Sequence, residues 1–331
     1  MKTGLSFESH RIQAEILHAA LNSDNRKILF SDLEKKTGYT MEIIKENMKE
    51  LAESRLGSVG RKYFRVPELP DLILPPVILI GLRSGYMGRR IFAYKSIGST
   101  NDTAKRLAES DSPEGTLVIA EKQTKGRGRL GRSWHSPQNK GLYFSLVLRP
   151  QIPVEKMPAL SLVAALSVCR VIESMTDLKP QIKWPNDCLI DGKKVAGILI
   201  DISAELGRVS YAILGVGLNI NTAQKDFSSG LRKSATSLAI QTGKMFSRVD
   251  CLRPFLHEFE KSYRNFYRYG LEFIASEIIK RSSVIGREIN FKLSGKKYTA
   301  MALGYDENGG LMVKSKSGVK VLSGGEITIR K

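Results

Sequence analysis

Cysteine is scarce in this sequence, with Cys169, Cys188 and Cys251 far apart in 331 residues. An odd, scattered set argues against a disulfide framework, and the four histidines do not cluster with it at zinc-ligand spacing. A reduced, cytoplasmic setting is the expectation. The run Leu72–Leu82 is strongly apolar but too short to span a bilayer and contains Pro75 and Pro76, so no membrane partner is expected. Met1 to His10 lacks the apolar core of a signal peptide. The common nucleotide fingerprints are missing as well. Gly215-Val216-Gly217 has neither the third glycine nor the following helix of a dinucleotide fold, and there is no Walker A lysine loop. Acid is in short supply: 33 Asp and Glu face 52 Lys and Arg, a formal charge of +19. That excess favours phosphate-rich or acidic partners.

What is present concentrates in Gly126-Arg127-Gly128-Arg129-Leu130-Gly131-Arg132. Glycine removes the Cβ obstacle to close approach, and arginine offers a planar fork matched to phosphate or carboxylate. Such a segment in isolation also fits a disordered nucleic-acid tail. Here it lies between two strand-like runs, Leu117–Ala120 and Leu142–Leu148, which predicts an anchored, anion-binding loop.

The pattern along the chain predicts an α+β protein in three parts joined by a linker. Residues 1–66 read as a winged helix-turn-helix. Ile12, Ile16, Leu17 and Ala20 recur at helical spacing. Ser31 with Glu34 forms a capping box, Gly38 ends that helix, Thr40 caps the next, and Ile43, Ile44, Asn47, Met48 and Leu51 keep the period. Gly57–Val66 reads as the wing. The candidate DNA-contacting residues are Lys45 and Lys49 on the second helix and Arg61 and Lys62 on the wing. Glu42, Glu46 and Glu50 set that helix poorly against phosphates, so protein contact or simple packing stays open for this unit. Residues 67–90, with four prolines from Pro67 to Pro76, read as a linker. Residues 91–281 read as a mixed sheet with helices on one side, and 282–331 as a small β-barrel with a hairpin at Asn308-Gly309.

Three further segments join the Gly-Arg loop. Lys183-Trp184-Pro185-Asn186-Asp187 presents turn formers and a tryptophan. Asp191-Gly192 suits a hairpin turn, after which Lys194 opens a strand in register with Ala196, Ile198 and Ile200, predicting a lysine directed into an enclosed site. Gly215–Asn221 allows close approach and offers asparagine side chains, although alone it equally fits a bulged strand end.

Ser99-Thr100-Asn101, Gln123 with the Gly-Arg loop, Trp134, Lys183–Asp187, Lys194–Leu199, Gly215–Asn221, Ala235–Leu238 and Gly324–Arg330 occur in the order found in biotin protein ligases. From about residue 91 onward the chain resembles that family, and with the N-terminal unit it resembles the family's bifunctional ligase-repressor form. The resemblance implies a class II synthetase-like catalytic domain and an SH3-like C-terminal barrel. It implies that biotin and ATP give biotinyl-5′-adenylate and pyrophosphate, with Mg2+ as cofactor, and that the biotinyl group passes to a lysine of a biotin carboxyl carrier domain. Operator DNA and a homodimer are further implied partners.

The resemblance also implies residue roles. Arg127 and Arg129, around Gly128, would hold biotin and the adenylate phosphate, with Arg132 ordering the loop. Lys194 would contact the carboxylate and the reacting phosphate. Ser99, Thr100, Asn101 and Gln123 would line the biotin pocket. Trp134 would stack near adenine, with Asn186, Asn219 and Lys183 on the nucleotide side. Asp187 would hold the metal or orient the attacking lysine. Cys188 and Asp201 depart from the family's usual aliphatic residue and Glu. A lipoate or octanoate ligase of the same superfamily, and a ligand-sensing transcription factor without ligase chemistry, are the competing expectations.

Overall fold

The computed structural model describes residues 6–293, 296–316 and 318–329; Arg330, in the expected Gly324–Arg330 motif, lies outside them. α1 (Phe7–Leu21) is capped by Ser6 and buries Ile12, Ile16, Leu17 and Ala20, as the spacing predicts. β1 (Lys27–Leu29) leads into α2 (Phe30–Thr37) and α3 (Met41–Glu53). β2 (Ser58–Val59) and β3 (Tyr63–Arg65) complete a small antiparallel sheet in the order β1-β3-β2. Gly38 ends α2 at φ 74°, a left-handed turn that glycine adopts without strain. Ser31 does not cap α2, contrary to expectation. It lies inside the first turn, because β1 runs directly into the helix and the Phe30 N–H donates to the Lys62 carbonyl instead. Thr40 stands at the N-cap of α3 but makes no side-chain capping bond.

The stretch 67–90, expected as a linker, carries α4 (Pro75–Leu79), which packs on α1 with Val77 and Ile78 buried. Nearby, Arg248 is fully buried and pairs with both Asp71 and Glu121, while Glu121 also accepts from the Ile73 N–H. A buried guanidinium requires such compensation, so these contacts hold the segment against the central sheet.

That sheet contains β4 (Ile91–Tyr94), β5 (Leu117–Ala120), β6 (Gly141–Leu148), β7 (Gln181–Lys183), β8 (Asp187–Ile190), β9 (Lys193–Glu205) and β10 (Arg208–Asn219). Its order is β4-β5-β6-β10-β9-β8-β7; only β4 and β5 pair in parallel. Helices cover both faces, not one. Phe144, Leu146 and Leu148 of β6 enter the main core, which also takes residues from α6 (Met157–Met175) and α8 (Arg248–Tyr269). Val118, Val147 and Ile213 point the other way, onto Ala104 and Ala108 of α5 (Thr100–Glu109). Every residue of β5 and β6 is consequently buried, which explains sequence runs without polar alternation. α6 is apolar enough to cross a membrane by composition, but it is mostly buried in this core.

After α7 (Leu238–Thr242) and α9 (Glu272–Lys280) comes a second antiparallel sheet. Its strands are β11 (Glu288–Leu293), β12 (Lys296–Tyr305), β13 (Leu311–Ser315), β14 (Gly318–Leu322) and β15 (Ile327–Ile329), in the order β14-β13-β12-β11-β15. The hairpin at Asn308-Gly309 forms as expected and its tip is docked. The Ala159 N–H donates to the Asn308 carbonyl and the Trp184 indole to the Gly309 carbonyl, each at 3.0 Å. Trp184 thereby ties the C-terminal sheet to the central one beside the segment Lys183–Asp187.

Candidate active site

The α5-facing side of the central sheet forms the floor of a cleft. In β9 and β10, Gly197 pairs with Gly217 and Leu199 with Gly215. These glycines are required by contact: a Cβ on Gly217 would lie 2.3 Å from the Trp134 ring, and one on Gly215 would lie 2.1 Å from Asn101 Oδ1. Trp134 rests on this bare floor, with Lys194 Nζ 5.3 Å from the centre of its ring. Lys194 reaches the cleft as expected, but not by simple alternation. An extra residue at Val195 opposes β8, so Lys194 shares a face with Gly197 while Ala196 and Ile198 turn into the core.

The cleft measures about 510 Å3 and is lined by all the residues expected to bind biotin or nucleotide or to act in catalysis. One end is neutral and polar. Ser99 caps α5, and the Thr100 N–H and hydroxyl both donate to Gln123 Oε1, at 2.8 and 3.1 Å. Gln123 Nε2 donates to Ser136, and the Ser145 hydroxyl lies 2.8 Å from that of Thr100. Asn101 is fully engaged, accepting from Ser145 at 2.6 Å and donating to Asp201 at 3.0 Å. Ser145 escaped the sequence reading, although it is the lone small hydroxyl in an apolar strand. Asn221 turns away from the cleft, bonded through its side chain to the backbone of Phe246.

The other end is cationic, and the three loop arginines differ there. Arg127 places its fork on two carboxylates, Asp102 at 2.6 Å and Asp201 at 3.1 and 3.3 Å; these pairs hold its pKa above the usual arginine value, led by the bond to Asp102. Arg132 pairs with Glu326, in the loop just before β15. Arg129, between them, makes no ion pair among the described residues. It donates to Asn186 Oδ1 at 2.9 Å and to the Gly325 carbonyl at 3.3 Å, both neutral, and burial pushes its pKa down. A half-buried cation with neutral partners is an anion receptor in waiting. Asp102 and Glu326 were not among the expected site residues. Their signal is tertiary, because each meets its arginine across 25 and 194 positions of chain.

Asp187 Oδ1 lies 2.6 Å from Lys194 Nζ, close enough for an ion pair although it lacks hydrogen-bond geometry. Asn186 also donates to the Ile198 carbonyl and Asn219 to that of Thr236. Lys183 and His135 complete this end, with His135 Nε2 buried and unpartnered. Among the described residues no three His, Cys, Asp or Glu side chains cluster as metal ligands, leaving Asp187 the acid nearest Lys194. The four residues expected to contact DNA, Lys45, Lys49, Arg61 and Lys62, are all exposed and far in sequence from the cleft.

The chain is similar to known ligases over most of its length. Residues 93–219 match the model of the biotin/lipoate A/B protein ligase family, and residues 284–330 match that of the biotin protein ligase C terminal domain. The bifunctional ligase/repressor BirA of Bacillus spizizenii is 39% identical over 82% of this chain and 84% of its own length. The biotin--[acetyl-CoA-carboxylase] ligase of Mycobacterium tuberculosis is 31% identical over 75% of this chain and 91% of its own. Among solved structures, biotin protein ligase from Aquifex aeolicus in complex with biotin and ATP superposes with a TM-score of 0.63 at 32% identity, covering 73% of this chain and 99% of that one.

Proposed function

The chain belongs to the biotin protein ligase family, and from that premise we propose how its cleft carries out biotin activation and transfer. The protein is an ATP-dependent biotin--[acetyl-CoA-carboxylase] ligase. In the first step a biotin carboxylate oxygen bonds to the α-phosphorus of ATP and the bond to pyrophosphate breaks. In the second, a carrier lysine amine attacks the anhydride carbonyl, loses a proton and expels AMP. Both steps bring negative charge into a crowded space, so the difficulty is electrostatic.

The observation that carries the reading is Arg129: a half-buried guanidinium without an ion pair among the described residues, its hydrogen bonds going to neutral groups, beside the Lys194–Asp187 pair. Preorganised cations of this kind stabilise charge without reorganising as it forms. Arg129 and Lys194 face the carboxylate and α-phosphate. Ser99, Thr100 and Gln123 bond the ureido end of biotin, while Asn101 shapes that pocket from its bonds to Ser145 and Asp201. Arg127 and Gly128 form the loop over biotin. Trp134, Asn186, Asn219, Lys183 and Arg132 serve the nucleotide. When Lys194 turns to phosphate, Asp187 is released to orient the incoming amine. Alternatively Asp187 would be the protein carboxylate on Mg2+, which would be held mainly by the substrate phosphates, since no three-ligand cluster exists among the described residues. The metal supplies charge neutralisation on the triphosphate. Purified protein with ATP, Mg2+ and labelled biotin should release pyrophosphate and label a carboxylase carrier domain. Labelling from lipoate and not from biotin sinks the assignment.

The second role we propose is that of a biotin-responsive repressor acting in the cytoplasm, as a homodimer on operator DNA. The bifunctional ligase/repressor relatives support it, as do three helices beside a small sheet, read as a winged helix-turn-helix. Residues 284–329 are read as an SH3-like barrel. A gel shift on the upstream region of the chain's own operon, with and without biotin and ATP, tests the repressor role. No shifted band under any ligand condition rejects it.

A further inference from the structure

We propose that Asp201 is a positioning residue for adenylate chemistry, acting through Arg127 and Asn101 and not by touching substrate. Asp201 stands on β9, in register with Ile213 and two residues beyond Leu199, on the cleft side of the sheet. Its Oδ2 receives two hydrogen bonds from different parts of the site: Asn101 Nδ2 at 3.0 Å, from the start of α5, and Arg127 Nη1 at 3.1 Å, from the base of the Gly-Arg loop. Its Oδ1 takes the other arm of the same guanidinium at 3.3 Å. Asp102, on the first turn of α5, closes the clasp at 2.6 Å. One carboxylate on a rigid strand therefore fixes both the polar wall of the biotin end and the point where the loop leaves it.

The clasp also divides labour within the loop. Arg127, with two carboxylates, has its charge answered before any ligand arrives, and Arg132 is answered by Glu326. Arg129 is left to meet the anion. Without Asp201, two donors at the biotin end lose their shared acceptor, and Arg127 is freed toward the phosphate that Arg129 should hold. The carboxylate has to be an anion to serve both donors, and its reach has to match, so glutamate is the substitution able to restore it.

This inference rests on the ligase reading, and the experiment separates the two. Biotin KM, kcat and the half-life of bound biotinyl-adenylate are measured for the parent and for Asp201→Asn, Asp201→Glu and Arg127→Gln, with thermal melts alongside. Half-exposed pairs are weakened by solvent, so the expected change is moderate. Asp201→Asn should raise biotin KM and shorten adenylate half-life by about tenfold, with kcat changed less than about twofold. Asp201→Glu should recover most of the loss. Arg127→Gln should reproduce part of the Asp201→Asn defect, in the same direction, and the effects of the two substitutions should be less than additive in the double variant. An Asp201→Asn protein with parental KM and half-life overturns the proposal, as does a glutamate variant as defective as the asparagine one. If Asp201→Asn melts early, parental values in a folded Arg127→Gln overturn it equally. A parent that forms no biotinyl-adenylate refutes the ligase reading itself.

Discussion

The cleft and the N-terminal unit both carry cations, but they hold them in opposite ways. In the cleft Arg127, Arg132 and Lys194 each have a named carboxylate, and Arg129 has neutral partners that fix it without discharging it. In the N-terminal unit Lys45, Lys49, Arg61 and Lys62 extend into water. Residues 1–66 hold 12 Lys and Arg against 9 Asp and Glu, so all but three units of the +19 lie further along the chain. Preorganised charge specifies its ligand from within. Solvated charge takes its meaning from whatever partner arrives, and acidic residues on the same helix dilute it.

Four variants break or sharpen that contrast, in descending order of expected effect on ligation. Lys194→Ala should slow adenylate formation by about 10^2 to 10^3, the cost of removing one preorganised group from a charged transition state, in a pyrophosphate-release assay. Arg129→Gly removes hydrogen bonds to an anion and should accelerate loss of bound adenylate by about ten- to a hundredfold in a single-turnover filter assay. Unchanged retention there would place the anion elsewhere. Gly217→Ala introduces a methyl where the indole of Trp134 lies. Its ATP KM should rise by about tenfold while biotin KM stays within about twofold, since the polar end is untouched. Finally, Arg61→Glu with Lys62→Glu should leave both KM values unchanged, yet abolish the operator shift. In lower salt, the residual binding should lose about two units of log-log salt slope. A ligation defect in that pair would show the two regions to be coupled after all.

The same contrast explains how much was legible in the sequence. The motif residues were readable because glycine and arginine are chosen for contacts that few residue types satisfy, and all of those expected in the cleft line it. The helices at Ile12–Ala20 and Ile44–Leu51 were readable from their period. The counterions were not. Asp102 and Glu326 gain their roles only when β9, α5 and the C-terminal segment meet over the loop. The bulge at Val195 left no local sign, and two-step alternation assigned Lys194 the right direction through the wrong register. Ser31 misled because a capping box is a local preference, and a strand pairing overrode it. The proline-rich stretch 67–76 looked like a tether because nothing local reveals that Asp71 meets Arg248.

Trp134 on its glycine floor has an optical consequence. The chain has two tryptophans, and Trp184 is sealed in the core with its indole bonded to Gly309. Its emission should stay blue. Trp134 lies in the cleft with the Lys194 ammonium near its ring, so the larger change in intrinsic fluorescence on filling the cleft should come from this side chain. A Trp134→Phe protein should lose most of the emission change in a titration with biotin and ATP. The parent therefore carries a built-in, label-free gauge of cleft occupancy, readable in stopped flow before any bond is made.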